Sequence, residues 1–176
     1  MIDFSQNYFA LFGLPPRYRF DAALLDAAYR ALQTKVHPDR FAAASEAERR
    51  LALQSSARVN EAYRALKDPV GRAQYLLSLH GIDAKAETDT ALPLDFLERQ
   101  LERREAVDEA RIARDAGQLE SLLAEVRAEI AALEPALAET LDAKRSWESA
   151  RASVRELQFL SKLAADIDSA IGGIDR

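Results

Sequence analysis

At 176 residues, 48% of them apolar, the chain can bury one domain of ordinary size or two small ones, and wholesale disorder is excluded. Gly and Pro number only six each, which favours helix over sheet, and the absence of cysteine rules out a disulfide, a thiolate zinc site or a cysteine-held cluster built from this chain alone. The net charge of −5 is uneven, with 11 Lys and Arg against 8 Asp and Glu in residues 1–80 and 13 against 21 in residues 81–176, a pattern that suits two surfaces with different partners and equally the charged faces of solvated helices, and nucleic-acid binding is disfavoured.

Met1-Ile2-Asp3-Phe4-Ser5 has neither the basic nor the apolar region of a secretory signal. No apolar run approaches the ~18 residues of a membrane span, so a cytoplasmic protein without membrane contact is expected. Asn7 to Gly13 reads as a short helix with large apolar Tyr8, Phe9, Leu11 and Phe12 and a glycine stop. Pro15-Pro16 imposes an extended link. Asp21 is the expected N-cap of a second helix, in which Leu25, Ala28, Leu32 and Val36 recur at helical period. Pro38 ends that helix, because the residue before a proline is driven out of the α region. Ser45 and Glu48 have capping-box spacing at the head of a third helix, patterned by Leu53, Ala57, Asn60 and Leu66 and broken at Asp68-Pro69. A fourth helix is expected from Val70 to Leu79.

Residues 82–92 hold few large apolar groups and read as a linker. Pro93 suits the first turn of a fifth helix reaching about Asp115, with the break at Gly117. Leu119, Leu122, Leu123, Val126, Ile130, Leu133 and Leu137 form the stripe of a sixth, which Pro135 should kink or shorten. Trp147, Ala150, Val154, Leu157, Leu160, Ala164, Ile167 and Ile171 mark a seventh, ended by Gly172-Gly173. No β-type alternation persists. The expected fold is all-α, with four helices in residues 1–81, a linker over 82–92 and an antiparallel three-helix bundle in 93–176.

The strongest local feature is Lys35-Val36-His37-Pro38-Asp39-Arg40, where a helix stops abruptly and displays a polar loop. The imidazole can donate and accept, the proline fixes the backbone, and the carboxylate seeks an arginine or a backbone N–H. Arg30, Lys35 and Arg40 place positive charge nearby. Taken alone, the tripeptide is equally compatible with an ordinary helix–helix turn. Its surroundings decide otherwise: Tyr8-Phe9-Ala10-Leu11-Phe12-Gly13-Leu14 precedes the basic helix, and Asn60-Glu61-Ala62-Tyr63-Arg64-Ala65-Leu66-Lys67-Asp68-Pro69 follows the loop.

With these segments the sequence resembles the J-domain family over about residues 5–80. The resemblance implies that His37, Pro38 and Asp39 dock on a DnaK-class chaperone and trigger its ATPase, with Arg30, Lys35 and Arg40 steering the acidic chaperone surface. Such a chain activates a partner's chemistry and is not itself an enzyme. An acid–base role for His37 and Asp39 is disfavoured, because no phosphate loop, metal motif or second constellation accompanies them.

The ending Tyr75-Leu76-Leu77-Ser78-Leu79-His80-Gly81, the stretch Leu97-Glu98-Arg99-Gln100-Leu101-Glu102-Arg103-Arg104-Glu105 and the stretch Leu157-Gln158-Phe159-Leu160-Ser161-Lys162-Leu163 resemble the HscB family, the specialised co-chaperones of iron–sulfur cluster assembly. That family implies a bundle that binds the scaffold protein IscU and delivers it to the chaperone HscA, with no cofactor and no metal held by the co-chaperone. A J-domain co-chaperone for another client is the alternative. On α-helical spacing, Leu97 and Leu101 continue into Glu105 and Glu109 at i+4 steps, with Glu102 alongside, so an apolar patch runs into an acidic strip. Phe159 leans off the centre of its helix's apolar stripe, with Leu163 one turn later on the same side. Leu97, Leu101, Glu102, Glu105, Glu109 and Phe159 are the expected scaffold-binding residues, although Leu97 and Leu101 could instead fill core and Phe159 could only cover a bundle edge.

Overall fold

The computed structural model describes residues 2–84 and 92–174, and among them it holds seven α-helices and no strand. The chain divides into two compact units between Leu79 and His80. Of the expected 82–92 linker, residues 85–91 lie outside the described residues.

In the first unit, α1 (Tyr8–Leu11) is capped by the Asn7 side chain, which accepts the Ala10 N–H. Helix α2 (Ala22–Val36) begins where Asp21 accepts the Ala23 N–H. It is followed by a 3-10 turn, Pro38–Phe41. Helix α3 (Glu46–Lys67) opens on the full capping box of Ser45 and Glu48. Asp68 separates it from α4 (Pro69–Leu79). Contacts pairing Asp26 with Lys67, Tyr29 with Tyr63 and Gln33 with Asn60 make α2 and α3 an antiparallel hairpin.

The core of this unit gathers Phe9, Leu25, Val59, Ala62, Leu66, Ala73, Leu76 and Leu77, all buried. The expected stripe of α3 is corrected: Leu53 and Ala57 are exposed, and the buried face is Ala52, Ser55, Val59, Ala62 and Leu66. Helix α1 is fastened by the Tyr8–Tyr75 ring stack at 4.2 Å and by the Tyr8 N–H donating to the Tyr75 hydroxyl at 2.9 Å. Burial, aided by a hydrogen bond with Glu61, pushes the Tyr8 phenol up to about 12.

The second unit contains α5 (Leu94–Ala113), α6 (Ala116–Ala138) and α7 (Trp147–Ile174). Phe96, Val107, Ala110, Leu119, Leu123, Val126, Leu160, Leu163 and Ile167 form its core. Two expectations are corrected, at Gly117 and at Gly172-Gly173. The α5–α6 break lies at Arg114, which takes φ 55°, and Asp115 caps α6 by accepting the Gln118 N–H, so Gly117 falls inside the first turn of α6. Pro135 sits within α6, which continues to Ala138 and passes into a π-type turn, Glu139–Lys144, closed by Arg145 at φ 50°. Helix α7 runs through Gly172 and Gly173 to Ile174, because Ile171 and Ile174 pack against the core on either side of them. At the head of α7, Trp147 stacks on His80, ring centroids 3.7 Å apart.

Candidate partner-docking sites

The tip of the α2–α3 hairpin carries the first site. His37 is extended (φ −60°, ψ 128°), as the following proline requires, and its Nδ1 accepts the Asp39 N–H over a long 3.4 Å. The Asp39 carboxylate stands 3.5 Å from the same nitrogen, and the two side chains are 53% and 88% exposed. This contact becomes an ion pair only when the imidazole is protonated. Both groups therefore face solvent on a fixed backbone, available to a partner rather than committed inward.

The flanking cations divide. Arg40 folds back so that its Nη1 donates to the Thr34 carbonyl at 3.0 Å, satisfying an orphan acceptor at the end of α2. Lys35 lines a groove of about 370 Å³ with Val36, Phe41, Glu48 and Leu51. Arg30 stands about 140° around α2 from Lys35 at 100° per residue. Its charge acts on Asp26. The structure thus brings Lys35 and Arg40 to the tripeptide and leaves Arg30 on another face of the helix.

Polar cross-links hold the hairpin that aims this loop. Asn60 Oδ1 accepts from the Tyr29 hydroxyl at 2.9 Å and from Gln33 Nε2, the structural role expected of an asparagine among apolar neighbours. The Tyr29 and Tyr63 rings stack at 4.0 Å. Lys67 Nζ (2.7 Å) and the Tyr63 hydroxyl (3.0 Å) both donate to Asp26, and these bonds hold its carboxyl below the usual carboxylate range.

The outer face of α5 carries the second site. Leu97 and Leu101 are 40% and 60% exposed, and Leu94, one turn earlier, is 71% exposed. Their sequence neighbours Phe96 and Gln100, about 100° around the helix, are buried. The leucines are therefore surplus to the core and form an apolar patch. Glu102, Glu105 and Glu109 are exposed on the same helix, with Glu102 about 100° around from Leu101.

Phe159 of α7 is partly buried. Its ring meets Phe96 of α5 edge-on at 5.8 Å, and the Arg104 guanidinium lies over it, 4.9 Å from the centroid. Leu163, expected beside it on the outer side, is instead core. Leu94 and Arg104 were not expected at this site. A third apolar residue at i−3 from Leu97 could have pointed to Leu94, but the Arg104–Phe159 contact joins two helices and has no local signal. Among the described residues no group of His, Cys, Asp or Glu could hold a metal, and no helix is long and apolar enough to cross a membrane.

Comparison with known proteins matches the two halves of the chain to two family models. The DnaJ domain model matches residues 7–75, and the HSCB C-terminal oligomerisation domain model matches residues 92–168. The co-chaperone protein HscB homolog of Burkholderia multivorans is 47% identical over 97% of each chain. The solved chaperone HscB from Vibrio cholerae superimposes with a TM-score of 0.83 at 38% identity, over 96% of this chain and 99% of that one. Human co-chaperone HscB gives 0.87 at 28% identity, over 94% and 82%. With a J-domain matched in its first half, an HscB C-terminal domain in its second and relatives alike over nearly their full length, this chain belongs to the HscB family of J-domain co-chaperones.

Proposed function

We propose that this protein is a cytoplasmic adaptor which binds the iron–sulfur scaffold protein IscU through α5 and α7 and delivers it to the DnaK-class chaperone HscA, whose ATPase the His37-Pro38-Asp39 loop stimulates. The domain roles follow the division expected from the sequence: residues 1–81 engage the chaperone, 82–92 connect, and 93–176 hold the scaffold. The observation that carries the reading is the solvent-facing leucine pair Leu97 and Leu101 in the second half of a chain whose first half presents an equally solvent-facing His37 and Asp39. Exposed aliphatic side chains flanked by acidic ones suit a partner with an apolar segment and basic neighbours. Membership of the HscB family supports that partner being the scaffold.

The test is steady-state ATP hydrolysis by the cognate HscA-type chaperone with and without IscU, adding the protein or its His37→Gln variant. Strong stimulation that requires His37 and rises further with IscU is expected. His37 contributes little to packing, so the variant should melt within about 0.5 kcal/mol of the parent. Stimulation indifferent to IscU would transfer the co-chaperone to another client. Absence of stimulation would remove the chaperone-activating role.

A further inference from the structure

Among the described residues, Arg104 is the one cation on the proposed docking face that lies over an aromatic ring. Its guanidinium lies over Phe159, 4.9 Å from the ring centroid, in the geometry of a cation–π contact. Among the described residues it makes no ion pair. Asp108, one turn further on and within reach by spacing, pairs with Arg111 at 3.5 Å instead. The ring offers the guanidinium no acceptor atom, so N–H donors of Arg104 stay uncommitted. The side chain is exposed, so those donors are open to solvent. Leu97 and Leu101 lie within about 60° of Arg104 around α5, on the same outer face. The result is a preoriented planar fork beside an apolar patch, on a helix whose other exposed charges include Glu105, about 100° around from Arg104, and Glu109, about 140° around.

We propose that Arg104 is a specificity-determining contact that receives a carboxylate from the partner docked on Leu97 and Leu101. The inference rests on the docking reading above and adds to it the chemistry of the bound segment: apolar, with an acidic side chain placed against the α5–α7 seam and basic ones along the glutamate strip. A charge of each sign gives the encounter a direction, since a partner bound in the reverse sense would set its carboxylate against Glu105 and Glu109. Phe159 contributes twice, once as apolar surface and once by holding the fork in a single orientation, which lowers the entropy lost on binding.

The competing explanation is that Arg104 only shields Phe159 with its aliphatic stem. Calorimetric Kd values for purified IscU with the full-length protein and its Arg104→Met, Arg104→Lys and Leu101→Ala variants separate the two. Met keeps an apolar cover over Phe159 but removes the donors. Expected are a Kd about tenfold weaker for Arg104→Met and only partial recovery for Arg104→Lys, which keeps charge without the fork. Wild-type or tighter binding by Arg104→Met, with Leu101→Ala weakened, would overturn the carboxylate contact and leave the docking face standing. Full affinity for both Arg104→Met and Leu101→Ala would overturn the docking face and the contact with it. Full recovery by Arg104→Lys would overturn the fork geometry.

Discussion

Arg103 of α5 and Glu129 of α6 meet at 2.9 Å, with only 15% and 27% of their side chains exposed. The same Arg103 Nη1 donates to Gln100 Oε1 at 3.0 Å, and Gln100 is buried. A polar layer thus crosses an otherwise apolar bundle and ties the helix that carries Leu97 and Leu101 to its neighbour. Removing the arginine leaves both a carboxylate and a buried amide oxygen without that donor. Arg103→Met should therefore cost about 2 kcal/mol, between the values for surface and fully buried pairs. Glu129→Gln should cost less, and Arg103→Met with Glu129→Leu less than Arg103→Met alone, because no buried charge then remains unpaired. Urea denaturation of the four proteins measures this. Equal stability of Arg103→Met and the parent would assign the pair no role in holding α5.

Glu156 of α7 borders this layer, and burial followed by the charge of Glu129 raises its carboxyl above the ordinary 4.5. A raised folded-state value means that the folded protein holds this proton more tightly than the unfolded chain does. The associated stability is fully present below pH 4.5 and is lost as pH rises through the folded value. At neutral pH the ionised carboxylate is therefore a liability. Glu156→Gln should raise the melting temperature at pH 7, and its advantage over the parent should shrink as the pH falls through the folded value and be gone below 4.5. Paired thermal melts across that range decide it, and an advantage that grew on acidification would contradict the assignment.

Local chemistry made much of this architecture readable. Asp21, and Ser45 with Glu48, cap helices as their side chains demand, and Pro38 stops α2. These signals act within four residues, so no tertiary knowledge was needed. What escaped depends on packing. Gly117 and Gly172-Gly173 are glycines tolerated inside helices, each costing about 1 kcal/mol relative to alanine, which neighbouring side chains in the core offset. A single narrow apolar stripe on α7 leaves Leu163 outward beside Phe159, whereas Leu163 is buried. That helix packs against both α5 and α6, so its buried arc is wide enough to take Leu160, Leu163 and Ile167 together. Of the candidate site residues, His37, Asp39, Leu97 and Leu101 lie exposed as docking requires, whereas Arg30 stands apart on its helix and Phe159 is half covered by Arg104.

Exposure also separates function from folding on α5. Leu97 and Leu101 keep 40% and 60% of their surface in solvent, so truncating either removes little buried apolar area. Leu97→Ala and Leu101→Ala should each cost under about 1 kcal/mol of stability, against about 3 kcal/mol or more for Phe96→Ala, whose ring is buried in the core. For the binding step the order reverses, since an exposed leucine gains its full burial only when a partner covers it. Each leucine variant should weaken IscU affinity about tenfold or more if these residues anchor the complex. Their double variant should abolish IscU-dependent stimulation of the chaperone while leaving the His37-dependent, IscU-independent stimulation intact. Binding by calorimetry, ATPase assays and melts on the same preparations test all three expectations. A double variant that binds IscU normally would show that the leucines of α5 do not form the docking face.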